Sequence, residues 1–160
     1  MNHCAVLCST QRLTLEPDMS LKVELKPHER LIIGNCVVTN SDQRTRLFID
    51  GKAPVLREKD ILNATTADTP AKRIYLAVQL MYLDENTEKL RRDYFALVTD
   101  LVRAAPSATA IVDEINNEIL TGQLYKALRA AKKLIQYEQD ILANAAARHA
   151  GIPDGGQEDR

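Results

Sequence analysis

The sequence predicts an α+β fold: a small N-terminal antiparallel β-module followed by an antiparallel array of about four helices. Three observations carry that expectation. Between Leu21 and Leu56, apolar and polar residues alternate in short runs separated by turn residues. After Thr69-Pro70 the apolar residues recur at helical spacing instead. Aromatics make up only 4% of the chain and tryptophan is absent, so the core must be built from Leu, Ile, Val and Ala.

Each element has its own local signal. Leu21, Val23 and Leu25 alternate with Lys22, Glu24 and Lys26, the pattern of a half-buried strand. Pro27-His28-Glu29 turns the chain. Leu31-Ile32-Ile33 and Val37-Val38-Thr39 follow, and the Gly34-Asn35 between them predicts a bulge or a tight hairpin. Asn40-Ser41-Asp42 is a turn by composition. Arg44, Arg46, Phe48 and Asp50 then alternate with Thr45, Leu47 and Ile49, which places two arginines on one strand face. Asp50-Gly51 predicts a hairpin, with Ala53-Pro54-Val55-Leu56 returning as a short edge strand, where proline is tolerated. The segment from Arg57 to Leu62 is either a helical turn or an extended exit.

Thr69 followed by Pro70 is an N-cap with proline at the first helical position, where its missing N–H costs least. Ile74, Ala77, Val78, Met81 and Tyr82 then form one apolar stripe. Tyr75, Val78 and Met81 are expected in the core. Residues Asp84-Glu85-Asn86-Thr87 break the chain. Leu90, Tyr94, Leu97, Val98 and Leu101 mark a second helix that stops near Pro106. Ser107 is the expected cap of a third, carried by Ile111, Ile115 and Ile119 and ended by Gly122. Leu124, Leu128, Ala131, Leu134, Ile135, Ile141 and Leu142 carry a fourth, which fades through alanines to His149. The expected organisation is a leader over 1–18, a β-module over 19–66, a helical region over 67–149 and a disordered tail over 150–160. Met19-Ser20-Leu21 has the look of a start, because the alternation begins there; the leader is then either a short disordered extension or a product of an upstream start codon.

Composition narrows the function. Apolar residues at 45% and charged residues at 27% are ordinary for a globular protein. The net charge of −1 excludes a globally basic nucleic-acid binder, so any such site has to be a local patch. No apolar run approaches the roughly 18–20 residues of a membrane span, and no secretory signal is legible, so a cytoplasmic protein is expected. Cys4, Cys8 and Cys36 are an odd number without a CxxC pair, which suits a reducing compartment. His3, Cys4 and Cys8 lack a fourth ligand, so no metal or other cofactor is expected. His28 and His149 sit in a turn and at a helix end, away from any nucleophile, and no phosphate loop, dinucleotide fingerprint or HExxH occurs. Asp113, Glu114 and Glu118 have the spacing of a solvated helix face. An enzyme is not expected.

The cations are the better lead. The β-module carries a small positive excess, and its placement matters more than its size. Lys22 and Lys26 share a face of one strand, Arg44 and Arg46 a face of another. If those faces adjoin, they form a stripe able to follow a phosphate backbone; an ordinary solvated sheet face guarding against edge aggregation has the same pattern. Lys126, Arg129 and Lys133, with Lys132 beside them, form a second stripe on the last helix, where Glu138 and Asp140 follow and a solvated face is the expectation.

Several segments together resemble the FlbT family of flagellar regulators. They are Glu29-Arg30-Leu31-Ile32-Ile33, Ala53-Pro54, the run from Leu56 to Leu62, and Asp68-Thr69-Pro70-Ala71-Lys72-Arg73-Ile74-Tyr75. Tyr125-Lys126-Ala127-Leu128 and Lys133-Leu134-Ile135-Gln136-Tyr137-Glu138 fit the family's C-terminal helix. The likeness runs from about Met19 to about Leu142. It implies a post-transcriptional repressor of flagellin synthesis that associates with the 5′ untranslated leader of flagellin messenger RNA and promotes its degradation. It also implies a partner, the small flagellar protein FlaF, working in the opposite direction, and no catalytic residues. A fainter likeness links His28 to Gly34, Lys52-Ala53-Pro54 and Arg57-Glu58 to the carbon storage regulators, β-sheet RNA binders; the arginine that contacts RNA there would be Arg57 here. The stretch from Ala53-Pro54 to Arg57 is shorter than in that family, which puts the strand that positions the arginine in question. The expected RNA-facing residues are therefore Lys22, Lys26, Arg44, Arg46 and Arg57. Two function classes follow: an RNA-binding repressor whose helices serve self-association or a protein partner, and an adaptor or chaperone-like module for flagellin or a FlaF-type partner that acts on the messenger only indirectly.

Overall fold

The computed structural model describes residues 20–84 and 88–150. The expected leader, the tail beyond residue 150 and the 85–87 part of the interhelical break lie outside the described residues. The rest is an α+β arrangement of five short strands followed by four helices.

Alternation decides the layering of the strands. β1 (Leu21–Leu25) pairs antiparallel with β4 (Thr45–Ile49), Val23 opposite Leu47 and Leu25 opposite Thr45. β2 (Arg30–Ile33) is the centre of a second antiparallel sheet, flanked by β3 (Cys36–Thr39) and β5 (Val55–Arg57). Because side chains alternate across a strand, β2 and β5 can serve two cores at once. Leu31, Ile33 and Val55 meet Val23, Leu25, Leu47 and Ile49 in a small β-core. Ile32 and Leu56 lie on the opposite face and join the helical core. The result is three layers: the β1–β4 ribbon, the β3–β2–β5 sheet and the helices.

One expected turn is different. Asp50-Gly51 does not close a hairpin, since β4 and β5 belong to separate sheets and β5 pairs with β2, Leu56 opposite Ile32. The edge position expected for the Ala53–Leu56 segment is correct, but the edge belongs to the other sheet. Burial explains the choice: pairing with β2 seats Val55 in the β-core and Leu56 against the helices, two faces that β4, exposed on one side, does not offer. The Gly34-Asn35 hairpin is present between β2 and β3; Gly34, at φ +56, takes the left-handed position, and its N–H donates to Pro54 O at 2.8 Å.

The helices are α1 (Pro70–Leu83), α2 (Glu88–Ala104), α3 (Thr109–Leu120) and α4 (Leu124–Ala150). α1 packs on α2 and α4, and α3 packs on α4. Tyr75, Val78 and Met81 are buried as expected, with Tyr94, Ile115, Ile119 and Leu134 around them in the helical core. Thr69 caps α1, its Oγ1 accepting from Lys72 N at 3.4 Å. Gly122, at φ +74, ends α3 in a Schellman motif: its own N–H donates to Ile119 O and that of Gln123 to Glu118 O. Ser107 does not cap α3. It lies in a 3-10 turn over Pro106–Ala108 that runs into the helix, and its Oγ accepts instead from the Tyr137 hydroxyl.

Three side chains of α1 fasten the helices to the strands. The Tyr82 hydroxyl accepts from Val55 N at 3.0 Å in β5. Gln79, buried, accepts from Leu62 N at 2.8 Å and donates to Leu62 O at 2.9 Å, replacing the partners that a neighbouring strand would supply. The Tyr75 hydroxyl donates to Asp60 O at 2.6 Å, and burial pushes its phenol well above the ordinary range. The Arg57 to Leu62 exit is thus both things its sequence allows: a 3-10 turn over Glu58–Asp60, then extended chain.

Candidate nucleic-acid interface

The outer face of the β1–β4 ribbon collects the cations. Lys22 stands opposite Phe48 and Glu24 opposite Arg46, and all four are exposed while Val23 and Leu25 turn inward. One step beyond the last pair, the same alternation carries Lys26 and Arg44 onto this face. The two strand faces therefore adjoin.

The middle layer adds Arg57. Its strand β5 is present despite the short lead-in, and the residue ends it on the face that looks toward the ribbon, sharing that face with Val55. A cleft of about 230 Å³ is lined by Glu24, Leu25, Lys26, Glu29, Arg44 and Arg57. A larger opening between β1 and β5, about 470 Å³, has Lys22, Arg57 and Lys59 in its wall together with Tyr82 and Tyr125. The structure thus brings Lys26, Arg44 and Arg57 to one cleft, with Arg46 and Lys22 continuing along the ribbon.

Loop chemistry holds these side chains in place. Lys26 to Glu29 form a tight turn in which Glu29 N donates to Lys26 O at 3.1 Å; Pro27 presets the second position and His28 takes φ 60 at the third. Asn40 is nearly buried, and its Nδ2 donates to Lys26 O and Gln43 O, both at 2.8 Å, and to Leu25 O at 3.3 Å. Its Oδ1 accepts from Ser41 N at 3.0 Å. One side chain thereby ties the Lys26 turn to the Arg44 approach. The Glu29 carboxylate accepts from Lys26 N at 2.8 Å and lies 3.8 Å from Arg57 Nη1, which steers the guanidinium toward the cleft. Arg30 Nε donates to Glu58 Oε1 at 2.9 Å, anchoring the turn directly after Arg57; that bond holds the Glu58 carboxyl below its ordinary range.

Electrostatics rank the cations. Arg46 Nη2 donates to Glu24 Oε1 at 2.7 Å and its Nε to the same oxygen at 3.2 Å, so this guanidinium is already engaged. Hydrogen bonding from Arg46, followed by its charge, holds the Glu24 carboxyl below the ordinary range. A carboxyl lowered in the folded state supports the ribbon above its unfolded value, and that support is lost only as pH falls through the lowered one. At neutral pH Glu24 is therefore charged and competes with any phosphate for Arg46. If the ribbon face binds RNA, Glu24→Gln should free Arg46 and steepen the log–log salt dependence of that binding by up to about 0.7. Salt titration of the variant beside the parent protein checks this; an unchanged or shallower slope would remove Arg46 from the contact set.

The last helix behaves differently. Lys132 is ion-paired with Asp60, and Lys133 Nζ lies 2.6 Å from Glu114 Oε1, so these lysines tie α4 to the 3-10 turn and to α3. Lys126 and Arg129 are solvent-exposed. Among the described residues no group of three or more His, Cys, Asp or Glu is placed to hold a metal ion, and no helix is long and apolar enough to cross a membrane. Sequence reasoning passed over three residues of the cationic face. Phe48 was legible, since it continues the Arg44, Arg46 alternation; Asn40 and Glu29 were not, because their partners are set by the fold.

The chain is similar in sequence to several known proteins. The family model described as "Flagellar protein FlbT" matches residues 21–142. A protein of Bradyrhizobium diazoefficiens named "Probable flagellum biosynthesis repressor protein FlbT 1" is 56% identical over 132 residues, 82% of this chain and 90% of that protein. A "Probable flagellum biosynthesis repressor protein FlbT" of Rhodopseudomonas palustris is 51% identical over 125 residues, covering 78% and 99%. The "Flagellum biosynthesis repressor protein FlbT" of Caulobacter vibrioides is 36% identical over 141 residues, covering 86% and 98%. No solved structure matches the chain.

Proposed function

Because this chain belongs to the FlbT family of flagellar proteins, we propose that it represses flagellin synthesis by holding the 5′ untranslated leader of flagellin messenger RNA on the outer face of β1 and β4 and promoting its decay. The observation that carries this reading is the convergence of Lys26, Arg44 and Arg57, from three separate strands or their ends, on one cleft. Such convergence needs tertiary structure, and a merely solvated sheet face does not require it. In this reading the cleft takes one phosphate between the guanidinium and ammonium groups of Arg44, Arg57 and Lys26, beside the Glu24 and Glu29 carboxylates that share its wall, and Arg46 and Lys22 extend the track along the backbone.

A salt-titrated binding assay on the organism's own flagellin leader tests the reading. Each phosphate contact removed lowers the log–log slope by about 0.7 for a single strand, so replacing Arg44 and Arg57 together by Gln should flatten it by about one to one and a half. The pair Lys126→Gln and Lys133→Gln is the control and should leave the slope nearly unchanged. Loss of binding in the control pair with no effect of the β-module pair would move the site to α4.

A second reading rests on a different observation. Leu80 and Tyr125, both exposed, flank a groove of mixed polarity where Ala53 and Pro54 meet Tyr82 and Leu124, with Lys52 in its wall. In that reading the groove receives flagellin or a FlaF-type partner and the effect on the messenger is indirect. Binding there should be nearly independent of salt, which separates the two readings in one titration.

A further inference from the structure

We propose that Phe48 is the base-stacking residue of the ribbon face, so that the bound strand presents unpaired bases to it. The inference rests on the RNA reading above and specifies what that site takes. Phe48 is 63% exposed, at the end of the cationic face formed by the Lys22–Phe48 pair. Lys22 stands directly across the ribbon from it, and Arg46 is two residues along the same strand face. Opposed Cβ atoms in such a pair are about 4.5–5.5 Å apart, so a base lying on the ring keeps its phosphate within reach of either cation.

The other aromatics are committed elsewhere. Tyr75 and Tyr94 are buried and hydrogen-bonded. Tyr82 is bonded to β5 and stacks at a tilt on Tyr125, while Phe95 meets Tyr94 edge-on. Tyr137 is bonded to Ser107. Among the described residues Phe48 is the aromatic with neither a ring partner nor a hydrogen bond, and Lys22 and Arg46 are its neighbours on the ribbon face. A duplex hides its base faces inside the stack, whereas single strands offer a π-face at every nucleotide. A single ring flanked by cations on an open ribbon therefore selects unpaired RNA, and the selection is for strandedness rather than sequence.

The chain contains no tryptophan, so Phe48→Trp places one fluorophore at the site. Its emission should be quenched on addition of polyuridylate or polyadenylate and not on addition of duplex RNA. Phe48→Ala should keep its melting temperature, because the ring is exposed, and lose roughly 5- to 150-fold in affinity for the single strands. Its salt slope should stay that of the parent, because no charge is removed. Arg44→Gln and Arg57→Gln introduced into the Phe48→Trp protein should show the converse, a flatter slope with quenching retained at low salt. Unquenched tryptophan in a protein that still binds RNA would overturn the stacking assignment and leave the phosphate track standing. Absence of RNA binding by the parent protein would overturn both. A change of solution mass in Phe48→Ala would show the ring to be a contact between copies of the chain, which also overturns the proposal.

Discussion

Val78→Asp is expected to unfold the helical core. Val78 is fully buried on the face of α1 that meets α2 and α4. A carboxylate there would enter a cluster built from Ile74, Tyr75, Met81 and other apolar side chains. Burying an unpaired charge costs several kcal/mol, and a domain of this size has about 5–15 kcal/mol of net stability to lose. The variant should therefore melt far below the parent or be recovered only as insoluble protein. Met81→Ala is the graded companion, with a deletion cost of about 2–5 kcal/mol and a melting temperature lowered by about 4–20 °C. Because α1 also carries Tyr75, Gln79 and Tyr82, its loss would detach β5 and with it Arg57. A soluble Val78→Asp protein melting like the parent would show that this face of α1 is open to solvent.

Asn40→Ala has the second largest expected effect, and it reaches the cationic face directly. The substitution removes the donor shared by Leu25 O, Lys26 O and Gln43 O and the acceptor of Ser41 N. An unsatisfied buried polar group costs about 1–3 kcal/mol, and water replaces part of the loss where the groups are only partly buried. A total of about 2–4 kcal/mol, or a melting temperature lower by about 4–16 °C, is expected. Asn40→Asp should not rescue it, since a carboxylate has no proton to donate to three carbonyls. The cation count is untouched, so any weakening of RNA binding in folded Asn40→Ala protein reports lost placement of Lys26 and Arg44. Hydrogen exchange at Glu29 and Ser41 checks the same point, as both amides should lose protection. Unchanged melting and unchanged protection would mean that the two loops hold each other without the Asn40 side chain.

Local order was legible in the sequence wherever its cause is local. Period-two alternation marked β1 and β4 because one face of each is wet and the other dry. Thr69-Pro70 marked the start of α1 and Gly122 the end of α3, because capping and left-handed backbone are properties of a few adjacent residues. The same reasoning failed at Ser107, where the hydroxyl had the right chemistry for a cap but Tyr137, thirty positions away, claimed it.

What the sequence by itself determined, then, is the set of elements, their inward and outward faces, and the membership of Lys22, Lys26, Arg44 and Arg46 in two strand faces. Tertiary structure decided which strands pair. Asp50-Gly51 is locally a good hairpin, yet β5 crosses to β2 because that position buries Val55 on one side and Leu56 on the other. The gain from two buried faces depends on residues brought from β1, β2 and α1, and no periodicity along β5 records it. That same crossing carries Arg57 to the cleft of Lys26 and Arg44, and the β1–β4 register sets Phe48 against Lys22. Charge and alternation are written residue by residue, whereas convergence is a consequence of burial summed over the whole fold.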